Sequence, residues 1–466
     1  MNSYERDLKS IENRMAAFLI AVMVLLLFQA CSNQPLQPST HIQGTITVDS
    51  TLDDTKDYSG IELAIVARDT TIQAADTLFF ATTSREGYFE GEITFPEQAR
   101  YPLLINRNEN RVATSSIILA PDDSVTISGE LPNFSSTKDI ESHEHEAFET
   151  YQRVLKNFNR LRQYVASEGL SGDTLRQELI KWSDLFWDVR ERYDGTLGSK
   201  MAALQSAQLL EEWNDSLMVK RLSRIESDPS VIEGVSRLGK GARARMRGLD
   251  ASISYLDSIQ QFAEKRENRL SIDLQQLEML IDSSKVDAAR RELQQMADNY
   301  VTGTNPPDWF TYYKYELDNL APGAKFPKFS FRSLDGDSLR FGVDMKGPYL
   351  LEITSVANRT YMDQYDKMFA IHTVYNSGGL NLVTVPLDTS RITVQAFYEE
   401  RQRNWPVVRP NSFDAKSLID TLNIRSVPTR FLVDSQGRLV RKYVGREIDE
   451  VVTELQTVLK DTEVSL

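Results

Sequence analysis

Hydrophobic positions change period three times along the chain. Met15 to Phe28 is an unbroken apolar run of fourteen residues, short of the roughly twenty that a membrane-crossing helix needs. From His41 to Leu131 the pattern has period two, broken by turn residues. Candidate strands are Ile42–Val48, Ile61–Val66, Asp76–Thr83, Gly87–Phe95, Tyr101–Ile105, Ser116–Leu119 and Ser124–Leu131. Seven short strands at that spacing predict an antiparallel sandwich or small barrel over 41–133. From Glu141 to Val301 the period becomes helical. Phe148, Tyr151, Leu155, Phe158 and Leu161 form one stripe; Leu175, Leu179, Trp182, Phe186 and Val189 form another. Such stripes are core faces, and five to seven helices are expected over 140–303. A further block, 321–462, alternates buried-strand runs (Pro348–Thr354, Leu380–Leu387) with helical runs (Asn358 to about Tyr375, Val394–Arg403). It closes with a hairpin through Gln436-Gly437 and a terminal helix, Glu447–Lys460. The expected fold class is multidomain α+β: an antiparallel β-sandwich, a central helical region and a C-terminal α/β domain.

Composition narrows the chemistry. The 466 residues carry 53 Lys and Arg against 67 Asp and Glu, a net charge of −14. No nucleic-acid partner is expected, because phosphate contacts need clustered cations. The one cysteine, Cys31, excludes an intrachain disulfide, a multi-cysteine zinc site and a two-cysteine redox cycle. His143 and His145 stand at i and i+2 on a predicted helix start, so they do not share a face as zinc-binding pairs do, and no metal or cofactor is expected. Arg237, Lys240, Arg243, Arg245 and Arg247 make a basic segment, which either pairs with acids of neighbouring helices or meets an anionic surface. Gly-x-Ser-x-Gly, His-Glu-x-x-His and phosphate-loop motifs are all missing. Paired carboxylates leave no local signature in so acidic a chain.

The first thirty residues read as an address. Lys9 and Arg14 precede the apolar run, and Met1 and Met15 are alternative starts. The run ends at Leu27-Phe28-Gln29-Ala30-Cys31, which resembles a bacterial lipobox. That resemblance implies a signal peptide over 1–30, lipidation of Cys31 and a tether over 31–40 that leaves the rest soluble; a signal anchor, or an ordinary signal peptide with an incidental cysteine, is the alternative. No acidic run follows Cys31, which leans toward an outer-membrane anchor facing the periplasm. Gly44, Asp76-Thr77, Gly87-Tyr88-Phe89 and Val125–Gly129 resemble the small β domain that precedes thioredoxin-like domains in Bacteroides-type lipoproteins.

The C-terminal block resembles a known family more sharply. Ala321-Pro322, Asp335-Gly336 and Val427-Pro428-Thr429, followed by Phe431–Asp434 and Gly437, are similar to the opening, cis-proline loop and hairpin of TlpA/ResA-type thioredoxin-like oxidoreductases. The resemblance covers about 140 residues. In that family a strand runs into Cys-x-x-Cys at the head of a helix. Here the aligned tetrad is Asn358-Arg359-Thr360-Tyr361, with neither cysteine. The helix dipole that would lower a thiol pKa therefore has no thiol to act on, and no thiolate can attack or resolve a disulfide. Asparagine is a favoured N-cap, so Asn358 is expected to preserve the helix start. The resemblance implies a residual groove in which Val427 presents a strand edge, Pro428 shapes it, and Arg359 and Tyr361 line its mouth. Three readings stay open: a lipoprotein that binds or scaffolds a periplasmic protein or peptide, an enzyme using carboxylates elsewhere, and an oxidoreductase in family name only. A closed groove serving as mere scaffold is the counterpart of the first.

Overall fold

The alternation in Ser39–Val48 (β1) places Ile42, Ile46 and Val48 on one buried face, because successive side chains of a strand point to opposite sides. The computed structural model describes residues 37–68, 75–168, 172–340, 347–445 and 448–464. The apolar run, Cys31 and most of the tether lie outside them. Six more strands follow β1 where the period-two pattern predicts them: β2 (Ile61–Arg68), β3 (Ala75–Thr82), β4 (Tyr88–Thr94), β5 (Ala99–Arg107), β6 (Asn110–Leu119) and β7 (Ser124–Leu131). A three-residue β8 (Asp139–Glu141), which the pattern does not announce, completes the set. They form two four-stranded sheets, β4-β1-β7-β8 and β3-β2-β5-β6. Both contribute to one apolar cluster that includes Ile42, Leu63, Leu103, Ile127 and Phe134.

The expectation of a wholly antiparallel domain is corrected at its centre. β1 pairs with β7 in parallel, with Ile42 opposite Val125 and Val48 opposite Leu131. Parallel neighbours require a long crossover, and here the crossover builds the whole second sheet before β7 returns beside β1. Gly44 permits a close approach of this pair, since a Cβ there would lie 1.9 Å from the Ile127 carbonyl oxygen.

The helical stretch also differs from expectation. Eight helices, rather than five to seven, lie between His143 and Tyr300 among the described residues. They do not form one domain, because the chain divides into two compact units, Met1–Ile225 and Glu226–Leu466. The first unit takes the short α1 (Phe134–Thr137), then α2 (His143–Glu168), α3 (Gly172–Arg192), α4 (Leu197–Leu209) and α5 (Asp215–Leu222). The two predicted aromatic stripes meet there, with Tyr151, Phe158, Phe186 and Val189 buried together. The second unit takes α6 (Ile232–Arg247), α7 (Leu249–Ile259), α8 (Arg266–Asp282), α9 (Val286–Tyr300) and α10 (Asp308–Asn319).

The second unit continues into the α/β block. A small hairpin, β9 (Ser330–Arg332) with β10 (Ser338–Arg340), precedes a four-stranded sheet of order β12-β11-β13-β14. Its strands are β11 (Tyr349–Thr354), β12 (Asn381–Pro386), β13 (Thr429–Val433) and β14 (Leu439–Val444). β11 is parallel to β12 and antiparallel to β13. The helices α11 (Arg359–Tyr375), α12 (Arg391–Glu399), α13 (Ala415–Thr421) and α14 (Ile448–Val464) complete the block; the hydrophobic pattern announces neither α10 nor α13. Every residue of β11 is buried. Its alternation sends Tyr349, Leu351 and Ile353 into one apolar cluster with Phe431 and Val433. Leu350 enters the other, with Tyr361, Trp405, Leu432 and Val451. A strand buried on both faces is what a central position in an α/β sheet requires.

Candidate functional site

β11 ends at Thr354, and the chain turns through Ser355-Val356-Ala357 into α11. Asp388 holds that turn: one carboxylate oxygen accepts from the Ser355 hydroxyl and the other from the Val356 N–H, both at 2.9 Å. Asn358 then caps α11 as expected. Its backbone is extended (φ −76°, ψ 121°), and its Oδ1 accepts the Tyr361 N–H at 3.0 Å. The other end of the same amide reaches across the fold. Its Nδ2 donates to the Val427 carbonyl at 3.1 Å. The Val427–Pro428 peptide bond is cis. The loop is fastened from below by Thr429, whose hydroxyl donates to the Ser426 carbonyl at 2.6 Å, and by the Gly445 N–H on the Pro428 carbonyl at 2.8 Å.

Asn358, Val427 and Pro428 thus lie together, although 69 positions separate Asn358 from Val427. Arg359 stands beside them with its side chain 91% exposed, and the carboxylate of Asp363 is 3.9 Å away. Tyr361 does not join them, and the expectation that it lines the mouth is corrected. Its side chain is wholly buried, stacks on Phe397 at 5.8 Å and shares a 2.7 Å hydrogen bond with the Tyr398 hydroxyl. Three residues past the cap, the first turn of α11 faces inward toward α12. A buried phenol then needs a polar partner, and Tyr398 supplies it. Burial pushes both hydroxyls up, so they stay protonated.

A charge pair lies in the sheet beneath this face. Glu352 of β11 and Arg430 of β13 are 0% and 1% exposed, with Arg430 Nε 2.8 Å from Glu352 Oε1. Arg430 also donates to Gln364 Oε1 at 2.9 Å. The second oxygen of Glu352 accepts from Thr384, whose hydroxyl accepts in turn from the Trp405 indole at 2.9 Å. The network joins β11, β12, β13 and α11. Sequence reasoning passed over it, although a glutamate inside an apolar strand run is a signal, because a buried charge demands a partner.

The helix head therefore offers no ionisable nucleophile. It offers an exposed cation, a rigid turn and a cis-proline loop. Several of the remaining candidates have structural partners. His145 pairs with Glu149 at 3.3 Å, and burial lowers its pKa. No group of three metal-binding side chains occurs among the described residues. In the basic segment Arg243 lies 3.4 Å over the Tyr255 ring and 4.0 Å from Glu226. Burial lowers the Lys240 amine against the opposing pull of Glu278 and Asp282. No helix among the described residues is long and apolar enough to cross a membrane. One cleft of about 630 Å³ is lined by Asp257, Asp273, Glu292, Arg266, Arg269 and Tyr300, among others. Burial raises the carboxyls of Asp273 and Glu292 there, and their mutual repulsion adds to the rise at Glu292.

Over about 30% of its length the chain is similar to thioredoxin-like thiol-disulfide oxidoreductases. It is 22% identical over 149 residues to thiol-disulfide oxidoreductase ResA of Bacillus subtilis (strain 168), covering 32% of this chain and 81% of that protein. It is 23% identical over 145 residues to ResA of Bacillus cereus, covering 30% and 82%. Among solved structures, StoA from Bacillus subtilis matches at 19% identity and a TM-score of 0.25, over 29% of this chain and 99% of that one. The thioredoxin domain of a thiol-disulfide oxidoreductase from Bacteroides vulgatus matches at 20% identity and 0.27, over 29% and 98%. No protein-family model matches the chain.

Proposed function

We propose that this chain is a non-redox relative of the thiol-disulfide oxidoreductases, anchored by a lipid on Cys31 to a bacterial envelope membrane and facing the periplasm. We read its two N-terminal sheets as a sandwich and its helix-head face as a docking site for an extended segment of a periplasmic protein or peptide. The observation that carries the reading is the pairing of an intact cis-proline loop with Asn358 at the helix cap, where a thiol-based reaction needs a cysteine. Val427, Pro428 and Arg359 frame the face, and Tyr361 supports it from inside. Two experiments test this. The protein should reduce insulin no faster than background, and any turnover above it refutes the non-redox reading. A photo-crosslinking residue at Arg359 in living cells should yield a discrete adduct that is missing from the same residue at Glu454. Adducts at neither position refute docking here.

The cleft of Asp257, Asp273 and Glu292 favours a second reading, hydrolysis by paired carboxylates, because burial and neighbouring carboxylates raise the pKa of Glu292, the direction a general acid needs. Turnover of a panel of chromogenic glycosides and esters, abolished by Glu292→Gln, would establish it. Silence across the panel in wild type would remove it.

A further inference from the structure

The edge that a docking strand would use already has an occupant, and the occupant belongs to the chain. A helix cap needs one side-chain acceptor, and Ser, Thr or Asp would supply it. Asn358 differs from all three in carrying a second, amide end that donates. That end takes the Val427 carbonyl at 3.1 Å while Oδ1 keeps the Tyr361 N–H at 3.0 Å. Val427 lies just before the ladder of β13, whose first pairs are Thr429 with Ile353 and with Val444. Its carbonyl therefore has no strand partner, and the Asn358 amide satisfies it instead. An extended segment added beside this loop would form main-chain hydrogen bonds to the same residue, so it would compete with that amide for the Val427 carbonyl. The rest of the face is built not to move. Asp388 pins the Ser355-Val356 turn, Gly445 pins Pro428, and Tyr361 is locked to Tyr398. A single side-chain rotation at Asn358 is the small change that frees the edge.

We propose that Asn358 is a latch: its amide holds the docking edge shut in the free protein, and its rotation admits an extended segment of a partner protein. This rests on the docking reading above, and the test separates the two. Asn358→Asp keeps the cap acceptor and removes the donor; Asn358→Ala removes both without adding charge. Carbonyl-13C valine with 15N proline in the full chain marks Val427 and Val385 as the valines preceding prolines, so the Val427 carbonyl can be followed directly. The binding probe is a peptide selected from a random library on the Asn358→Ala chain. The expected result is a displaced Val427 carbonyl resonance in both variants and binding roughly fivefold tighter or more than to wild type, the equivalent of one net hydrogen bond. An unmoved resonance in both variants overturns the latch whatever the peptide does. A moved resonance with equal binding to all three chains overturns the gating role. A moved resonance with no peptide selected at all overturns the docking reading, and the gate with it.

Discussion

Replacing Arg430 with methionine should uncouple the centre of the C-terminal sheet, and the size of the loss follows from the geometry. The guanidinium is 1% exposed and serves Glu352 at 2.8 Å and Gln364 at 2.9 Å. Arg430→Met leaves the carboxylate of Glu352, 0% exposed, with the Thr384 hydroxyl as its remaining partner. Removing one member of a buried pair costs about 3–5 kcal/mol, because the survivor stays desolvated without compensation. Glu352→Leu should cost a similar amount by stranding the guanidinium. The double variant Glu352→Leu/Arg430→Met should recover most of this, since an apolar pair avoids the desolvation altogether. A residual loss of about 1–2 kcal/mol remains for the orphaned Thr384 and Gln364 groups. Hydrogen exchange of the β11 and β13 amides in the full chain is the assay, because it reports the local unit rather than a chain of two units. Each single variant should exchange about two to three and a half orders of magnitude faster than wild type, and the double variant markedly slower than either. Singles that lose less than about 1 kcal/mol, or a double whose loss is the sum of the two, would refute the argument that the pair is held by mutual compensation.

Other expectations concern single residues. Tyr361→Phe should destabilise the second unit by about 1–2 kcal/mol in urea unfolding, because the buried Tyr398 hydroxyl loses its partner at 2.7 Å. Gly44→Ala should cost about 3 kcal/mol and raise exchange across β1 and β7, since its Cβ meets the Ile127 carbonyl oxygen at 1.9 Å. His372 is buried against Trp405, its Nδ1 has no hydrogen-bond partner among the described residues, and burial lowers its pKa below 6.5. Below pH 6.5 the unfolded chain takes up this proton and the folded chain resists it. The stability contribution is therefore complete above that pH and is lost as pH falls toward the depressed folded pKa. His372→Gln should flatten the acid slope of the urea midpoint in that window, and an unchanged slope would refute the assignment.

Much of the architecture was legible in the residues because periodicity is a local property. Alternation located the first seven strands, helical stripes located α2 and α3, and the apolar runs located β11 and β12. The absence of a thiol from Asn358 to Tyr361 and the cap at Asn358 were equally local, since a helix start needs only an acceptor at the right residue. Tertiary structure decided what depends on distant partners. A strand pattern does not say which strand it will lie beside, so the parallel β1–β7 pair is set by the fold, with the second sheet built from the chain that joins the two strands. A helical stripe does not say which core it will enter, so the helices were shared out on either side of Ile225. Tyr361 turned inward because α12 offered it a ring and a hydroxyl. Asn358 found Val427, and Glu352 found Arg430, for the same reason. Hydrogen-bond partners far apart in sequence are chosen by the folded backbone, and no local pattern in the chain encodes them.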